Sequence, residues 1–178
     1  MSLGPDWVPG ADGIPFRRGA RVILLDEADR VLLVRGHDID EPTRTWWFTV
    51  GGGIDPGETS RAAAVRELRE ETGITLGADD LVGPVYTRSA LFDFLAQWCR
   101  QDEELYLARV HSSDLPRLSR AHWTELEADV LDELRWWRLD DLAALDIEVF
   151  PAGLADLVRA LLPGWDGVTR HLGEARES

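Results

Sequence analysis

A run of three glycines at residues 51–53 separates two segments with different patterns, and it is the feature that most constrains the fold. Residues 46–50 before it are aromatic and β-branched, a composition that favours a β-strand. After it, Thr59 or Ser60 can cap a helix, and Gly73 is placed to end that helix. The sequence therefore predicts a strand, a glycine turn and a helix in direct succession.

The predicted helix carries three carboxylates on one stripe. At 3.6 residues per turn, Glu71 lies about 40° from Glu67 around the helix axis, and Glu70 lies about 60° on the other side. Carboxylates this close repel one another, so the pKa of each should rise unless a cation neutralises them. Several carboxylate oxygens together suit hard divalent cations such as Mg²⁺ or Mn²⁺, whereas the alternative is a solvated acidic helix face.

The rest of the chain alternates between strand and helix patterns without a regular βαβ rhythm, which predicts an α/β fold with a mixed sheet flanked by helices. Residues 1–18 are predicted to be an irregular arm, residues 19–164 one domain, and residues 165–178 a polar, frayed tail. Further strands are expected at residues 21–25, 31–34, 81–89, 91–98, 105–110 and 134–139, and further helices within 113–133, at 140–145 and at 152–162.

Composition excludes several classes of function. The chain has 33 acidic residues against 19 basic ones, and its net charge of −14 does not provide the basic face that a nucleic acid polymer requires. The single cysteine, Cys99, excludes an internal disulfide and a cysteine zinc cluster. The sequence contains no apolar run long enough for a membrane span and no secretory signal at its start, so we expect a cytoplasmic protein that does not bind membranes.

Nine positions between residues 52 and 74 match the signature G-x5-E-x7-R-E-U-x-E-E-x-G-U, in which U is aliphatic. They are filled by Gly52, Glu58, Arg66, Glu67, Leu68, Glu70, Glu71, Gly73 and Ile74. On these residues the chain resembles the Nudix hydrolase family, whose members include MutT-like enzymes. One departure is Val50, where many members have proline before the glycines. The resemblance implies the Nudix fold, a mixed β-sheet sandwiched between helices (an α/β/α sandwich).

The resemblance also implies an activity, because Nudix enzymes hydrolyse a nucleoside diphosphate linked to another moiety. Carried over by position, Glu67, Glu70 and Glu71 would hold Mg²⁺ or Mn²⁺, while Glu58 and the carbonyl of Gly52 would be further ligands. Arg66 would orient these carboxylates by ion pairing. A metal held there would neutralise the diphosphate and lower the pKa of a bound water.

Members of the family often add one carboxylate from outside the signature as general base or extra ligand. We favour Glu127 for this role, because it precedes the predicted strand at 134–139 at roughly the place where relatives have a late acidic residue. The other candidates are Glu103, Glu104, Glu125 and Glu133.

Substrate contacts are predicted at strand ends and at aromatic residues. Arg35 and Arg88 could meet phosphate, with an ordinary surface arginine as the alternative. Trp47 or Trp98 could stack on a base, with core packing as the alternative. The sequence assigns no substrate, so nucleoside triphosphates, oxidised nucleotides and nucleotide sugars stay open as small-molecule substrates.

Two other functions use the same scaffold. A nucleotide-sensing Nudix domain without turnover usually loses carboxylates of the signature, and this chain has lost none. An isomerase of the isopentenyl diphosphate type needs a suitably placed cysteine, and Cys99 lies far after the signature. The apolar face of residues 152–162 suits either core packing or a homodimer contact.

Overall fold

The computed structural model describes residues 3–94, 97–115 and 117–177. Within these ranges, the helices are α1 (Ser60–Thr72), α2 (Glu125–Val130), α3 (Leu139–Ala143) and α4 (Leu154–Leu161), with 3₁₀ turns at Ala78–Asp80 and Ser112–Asp114. The strands are β1 (Val8–Pro9), β2 (Pro15–Leu25), β3 (Val31–His37), β4 (Thr45–Gly53), β5 (Val82–Phe94), β6 (Gln97–Arg109), β7 (Leu131–Trp137), β8 (Glu148–Phe150) and β9 (Arg170–Glu177).

The strands form one mixed sheet in the order β7-β3-β4-β2-β6-β5-β9, with β1 beside β2 and β8 beside β4. The pairs β2–β6, β4–β8 and β5–β9 are parallel, and the remaining pairs are antiparallel. The strands predicted at residues 21–25 and 31–34 lie within β2 and β3, which pair as a hairpin at Leu25 and Val31. Its turn contains Asp29 at a φ of 56°, and the carboxylate of Asp26 accepts the backbone N–H of Ala28 and of Arg30.

Helices cover both faces of the sheet, because successive residues of the central strands point in opposite directions. In β2, Val22 and Leu24 pack on the side of α1, whereas Ile23 and Leu25 pack on the side of α3 and α4. The predicted sandwich is therefore confirmed. The apolar side of α4 lies in the chain's own core, and a homodimer stays a prediction.

Helix α1 is the longest helix of the described chain and begins and ends as predicted. The hydroxyl of Thr59 accepts the N–H of Ala62, and Gly73 at a φ of 80° donates its N–H to the carbonyl of Arg69. Ala63 and Leu68 are fully buried against the sheet. In the described part of the chain, no helix combines the length and the apolar composition needed to cross a bilayer.

Both ends of the chain contain more structure than the sequence predicts. Residues 170–177 are not frayed but form β9. The strand is held by backbone pairing with β5, and its polar sequence lacks the apolar pattern from which a strand could be predicted. Strand β2 begins at Pro15, inside the predicted arm. The predicted break between residues 89 and 91 is also wrong, because β5 runs through it. Residues 95 and 96 of the predicted strand at 91–98 lie outside the described residues.

Candidate active site

The glycine run brings the backbone of β4 against the carboxylates of α1. Gly51 has a φ of 137°, and a Cβ at that position would lie 2.3 Å from the carbonyl oxygen of Ala20. A Cβ on Gly52 would lie 2.7 Å from the carboxylate of Glu67. The N–H of Gly51 donates to Oε2 of Glu71 at 2.7 Å. Glycine is therefore required at position 51 by the positive φ and the backbone of Ala20, and at position 52 by the close approach to Glu67.

Three carboxylates meet beside this backbone. One oxygen each of Glu67, Glu71 and Glu127 lies within 4.8 Å of the other two. Glu67 and Glu71 are buried residues one turn apart on α1, and Glu127 lies on α2. Glu127 is held by a capping box, in which its Oε2 accepts the N–H of Thr124 at 2.7 Å. We call Glu67, Glu71 and Glu127 the acidic cluster; its oxygens are the ligands that Mg²⁺ and Mn²⁺ prefer.

The acidic cluster has more negative charge than its surroundings balance. Burial raises the pKa of Glu67 to about 7, against the lowering effect of the Arg66 guanidinium. Burial and the charge of Glu67 raise the pKa of Glu71 well above its usual value of 4.5. In the absence of a metal cation, bound protons therefore neutralise part of this negative charge. A divalent cation would displace those protons on binding.

Arg66 connects the remaining carboxylates of the signature. Its Nε and Nη2 donate to the two oxygens of Glu58 at 3.0 and 2.9 Å, and its Nη1 donates to Glu67 at 2.7 Å and to Glu70 at 3.2 Å. Its Nη2 also donates to the carbonyl of Gly53 at 2.9 Å. Glu58 and Glu70 therefore lie around Arg66, outside the acidic cluster.

The other candidates for an additional base are engaged elsewhere or exposed. Glu103 is fully buried and bonds to the guanidiniums of Arg21 and Arg88, which outweigh the effect of burial and lower its pKa to about 2. Among the remaining candidates, Glu104 lies 3.9 Å from Arg18, Glu133 lies between Arg35 and Arg135, and Glu125 is exposed on α2.

Two predicted substrate contacts do not fit the structure. Trp47 is only 3% exposed, so it has no free ring face for a base, and it meets the ring of Trp137 edge-on. Arg88 is buried between Glu103 and Glu177, an arrangement that opposes the predicted phosphate contact. Arg35 is about one-third exposed and its Nε lies 3.2 Å from Asp132, so a phosphate contact there stays a prediction.

The Trp98 ring, the second stacking candidate, is also occupied on one side. The guanidinium carbon of Arg176 lies 4.5 Å from its ring centroid. Trp98 therefore lies against β9, and its stacking on a base also stays a prediction.

Arg21 contacts the site although it is not among the residues predicted from the sequence. Its Nη1 donates to the carbonyls of Thr49 at 2.9 Å and of Gly51 at 3.0 Å, so it contacts the glycine run directly. The only signal in the sequence is a single arginine at the start of the apolar segment 21–25.

A protein-family model matches most of the chain. The family model described as NUDIX domain matches residues 15–158, which include the glycine run and all three carboxylates of the acidic cluster. The chain belongs to the Nudix hydrolase family. This confirms the resemblance found in the sequence, and the match extends far beyond the signature on both sides.

Similar Nudix proteins carry different names. An RNA pyrophosphohydrolase of Erythrobacter litoralis is 30% identical over 142 residues, which are 75% of this chain and 83% of that protein. A Bacillus subtilis protein, whose name gives 8-oxo-dGTP diphosphatase activity provisionally, is 40% identical over 78 residues. That match covers 44% of this chain and less than half, 48%, of the relative.

A solved structure supports the fold. The crystal structure of the mutator MutT protein from Bacillus halodurans covers 91% of this chain and 90% of its own, with a TM-score of 0.58. At 21% identity this likeness shows the shared architecture and nothing about the substrate.

Proposed function

We propose that this Nudix protein is a metal-dependent hydrolase that cleaves the diphosphate linkage of a nucleoside diphosphate joined to another moiety. The observation that carries the proposal is the acidic cluster, in which two buried carboxylates and one partly buried carboxylate lie within 4.8 Å. The Arg66 guanidinium bonds to Glu67 but is shared with Glu58 and Glu70, so burial still raises the pKa of Glu67 and of Glu71. Proteins seldom bury such charges unless they are paired or hold a metal.

When bound, Mg²⁺ or Mn²⁺ supplies charge neutralisation for the diphosphate and lowers the pKa of a coordinated water. Glu67, Glu71 and Glu127 would hold the cation through their oxygens, with Glu58, Glu70 and the Gly52 carbonyl as further ligands. Arg66 orients Glu58, Glu67 and Glu70 through the hydrogen bonds described above. The N–H of Gly51 fixes the direction of the Glu71 carboxylate.

Glu127 is the residue we assign as general base or additional ligand. It is more exposed than Glu67 and Glu71, and it approaches them from a different helix. A carboxylate in that position could take the proton of the attacking water, and Glu67 and Glu71 would then be the residues of the acidic cluster that hold the cation.

Small nucleotides are the substrates that we favour. The strongly acidic chain, with a net charge of −14, provides no basic track for a polymer, and the cation would mediate contact with phosphates. The second candidate is the triphosphate at the 5′ end of an RNA, because a relative with 30% identity over most of its length is named RNA pyrophosphohydrolase.

A substrate panel tests both candidates. Product release is measured with Mg²⁺ and with Mn²⁺ for nucleoside triphosphates, 8-oxo-dGTP, ADP-ribose, nucleotide sugars, dinucleoside polyphosphates and an RNA with a 5′-triphosphate. We expect metal-dependent turnover of one small-nucleotide class, loss of turnover in Glu71→Gln, and normal turnover in Glu125→Gln. Turnover of the RNA alone would select the second candidate.

A non-catalytic sensor is the alternative in a different class. It would bind Mn²⁺ and a nucleotide without releasing phosphate or monophosphate from any member of the panel. That outcome would contradict the hydrolase proposal while leaving the metal site in place.

A further inference from the structure

We propose that Arg21 is a positioning residue of the active site: held by buried Glu103, it fixes the peptide planes on both sides of the Gly51 N–H, and thereby the carboxylate of Glu71. This inference rests on the proposed metal-dependent function. It assigns a role to an ion pair that lies outside the Nudix signature and that no carboxylate of the acidic cluster touches directly.

The contacts of Arg21 bracket one particular peptide bond. Arg21 faces Gly51 in the register of β2 and β4, and its Nη1 donates to the carbonyls of Thr49 and Gly51. The N–H of Gly51, which donates to Glu71, belongs to the peptide between Val50 and Gly51. The two carbonyls held by Arg21 therefore belong to the peptides immediately before and after it.

This restraint matters because glycine adds no side-chain restriction of its own to the backbone at position 51. Its φ of 137° lies in a region that glycine enters easily and leaves as easily. Arg66 holds the carbonyl of Gly53 from the side of α1. Arg21 and Arg66 thus fix the carbonyls on either side of Gly52, whose Cα lies against Glu67.

Arg21 is itself held rigidly. Its Nε bonds to Oε1 of Glu103, whose side chain is 1% exposed, and Oε2 of the same carboxylate accepts Nε of Arg88. Arg88 also bonds to Glu177 in β9. A chain of four alternating charges therefore connects the last strand of the sheet to the glycine run.

The substitution Arg21→Lys tests the proposal. Lysine keeps the positive charge beside Glu103 but lacks the planar fork that reaches two carbonyls and a carboxylate together. The matched control is Arg30→Lys, in the turn between β2 and β3, where Arg30 bonds to the fully buried carboxylate of Asp26. Both substitutions weaken the hydrogen bonds between an arginine and a buried carboxylate. Arg30, however, does not contact the glycine run, because its bonds to Asp26 lie in the β2–β3 turn.

Three readouts are compared: amide exchange of Gly51 in the metal-free protein by ¹H–¹⁵N NMR, Mn²⁺ affinity, and kcat and KM on the substrate identified by the panel. For Arg21→Lys we expect Gly51 exchange to accelerate about fivefold or more, the equivalent of one net hydrogen bond. We expect Mn²⁺ affinity and kcat to fall by about 10–100-fold, the range typical of outer-shell partners, with KM for the nucleotide unchanged. Arg30→Lys should lower only the unfolding temperature.

The inference is overturned if Arg21→Lys matches Arg30→Lys in Gly51 exchange and in Mn²⁺ affinity. Should Arg21→Lys fail to fold, Glu103→Gln serves in its place, because it loosens Arg21 without removing it. A wild-type protein that binds no Mn²⁺ contradicts the proposed function instead, and the exchange comparison then still tests the restraint on Gly51.

Discussion

Gly51 connects two groups of buried carboxylates. Its N–H donates to Glu71 of the acidic cluster, and its carbonyl accepts from Arg21, which bonds to Glu103. In the first group, Glu67 and Glu71 share a site with Glu127, and burial raises the pKa of the first two. In the second group, Glu103 lies between two guanidiniums and its pKa is lowered to about 2. Similar burial therefore has opposite consequences for the pKa, because two guanidiniums bond to Glu103, whereas Glu67 shares Arg66 with two other carboxylates.

The difference separates a structural carboxylate from a functional one. Glu103 stabilises the fold in its charged form, whereas the acidic cluster destabilises the metal-free fold whenever its carboxylates are charged. A buried site whose carboxylates repel one another without a ligand is suited to a divalent cation, which would relieve the repulsion.

The largest effect on stability is expected from removing the carboxylate of Glu103. Glu103→Met leaves Arg21 and Arg88 buried without their shared partner, so the free energy of unfolding should fall by about 3–5 kcal/mol. Urea unfolding at pH 7 measures this loss. Glu125→Met on exposed α2 is the control and should change it by less than about 0.5 kcal/mol. An equal effect in both variants would contradict the structural role of Glu103.

In the acidic cluster, removing the charge of one carboxylate should abolish activity and increase stability. Glu71→Gln should lower kcat by about 10²–10³-fold, as loss of a group that stabilises the transition state does. It should also raise the unfolding temperature of metal-free protein at pH 8, because a buried unpaired charge is removed. A variant that is both inactive and less stable at pH 8 would argue that Glu71 is structural.

The stability of metal-free protein should depend on pH in the direction set by Glu67. Its pKa is about 7 in the folded chain and 4.5 in its ordinary state, so its contribution is present below pH 4.5 and is lost as pH rises through 7. That loss is on the order of 3 kcal/mol. Urea unfolding at pH 5 and pH 8 measures it, with and without Mn²⁺.

We expect Mn²⁺ to restore stability at pH 8 and to have little effect at pH 5, because the raised pKa values of Glu67 and Glu71 favour their protonated forms there. Glu67→Gln should flatten the pH dependence of the metal-free protein. Equal stability of wild-type protein at both pH values without metal would show that the acidic cluster is already balanced.

The smallest of these effects concerns Glu127, which is the only member of the acidic cluster outside α1. Glu127→Gln should lower kcat by about 10²-fold, the lower end of what a general base contributes. Glu125→Gln, two residues earlier on α2, is the matched control. Equal kcat values for the two variants would remove Glu127 from the mechanism.

The sequence was sufficient where the site is local. Glu67 and Glu71 could be placed on one stripe of α1 from helix periodicity alone, and the caps at Thr59 and Gly73 set its limits. The resemblance to the Nudix family then supplied the glycines and Arg66. Glu127 was favoured only by its place along the chain, since its approach to α1 depends on how α2 packs.

What the sequence could not predict depends on strand register. Arg88 lies opposite Glu103 only because β5 and β6 pair in one register, and Glu103 reaches Arg21 only because β6 lies beside β2. Before the fold is known, Arg88 is an arginine at a strand end and Glu103 one of several acidic residues. β9 was missed for a related reason, because its polar residues carry no apolar pattern and pair through the backbone.

The most direct test of the unbalanced acidic cluster is the number of protons released when Mn²⁺ binds. Isothermal titration of wild-type protein with Mn²⁺ at pH 6, in two buffers of different ionisation enthalpy, gives this number. Because the pKa values of Glu67 and Glu71 are raised, we expect binding to release protons at pH 6, and Glu71→Gln to release fewer. Absence of Mn²⁺ binding, or binding without proton release, would contradict the account.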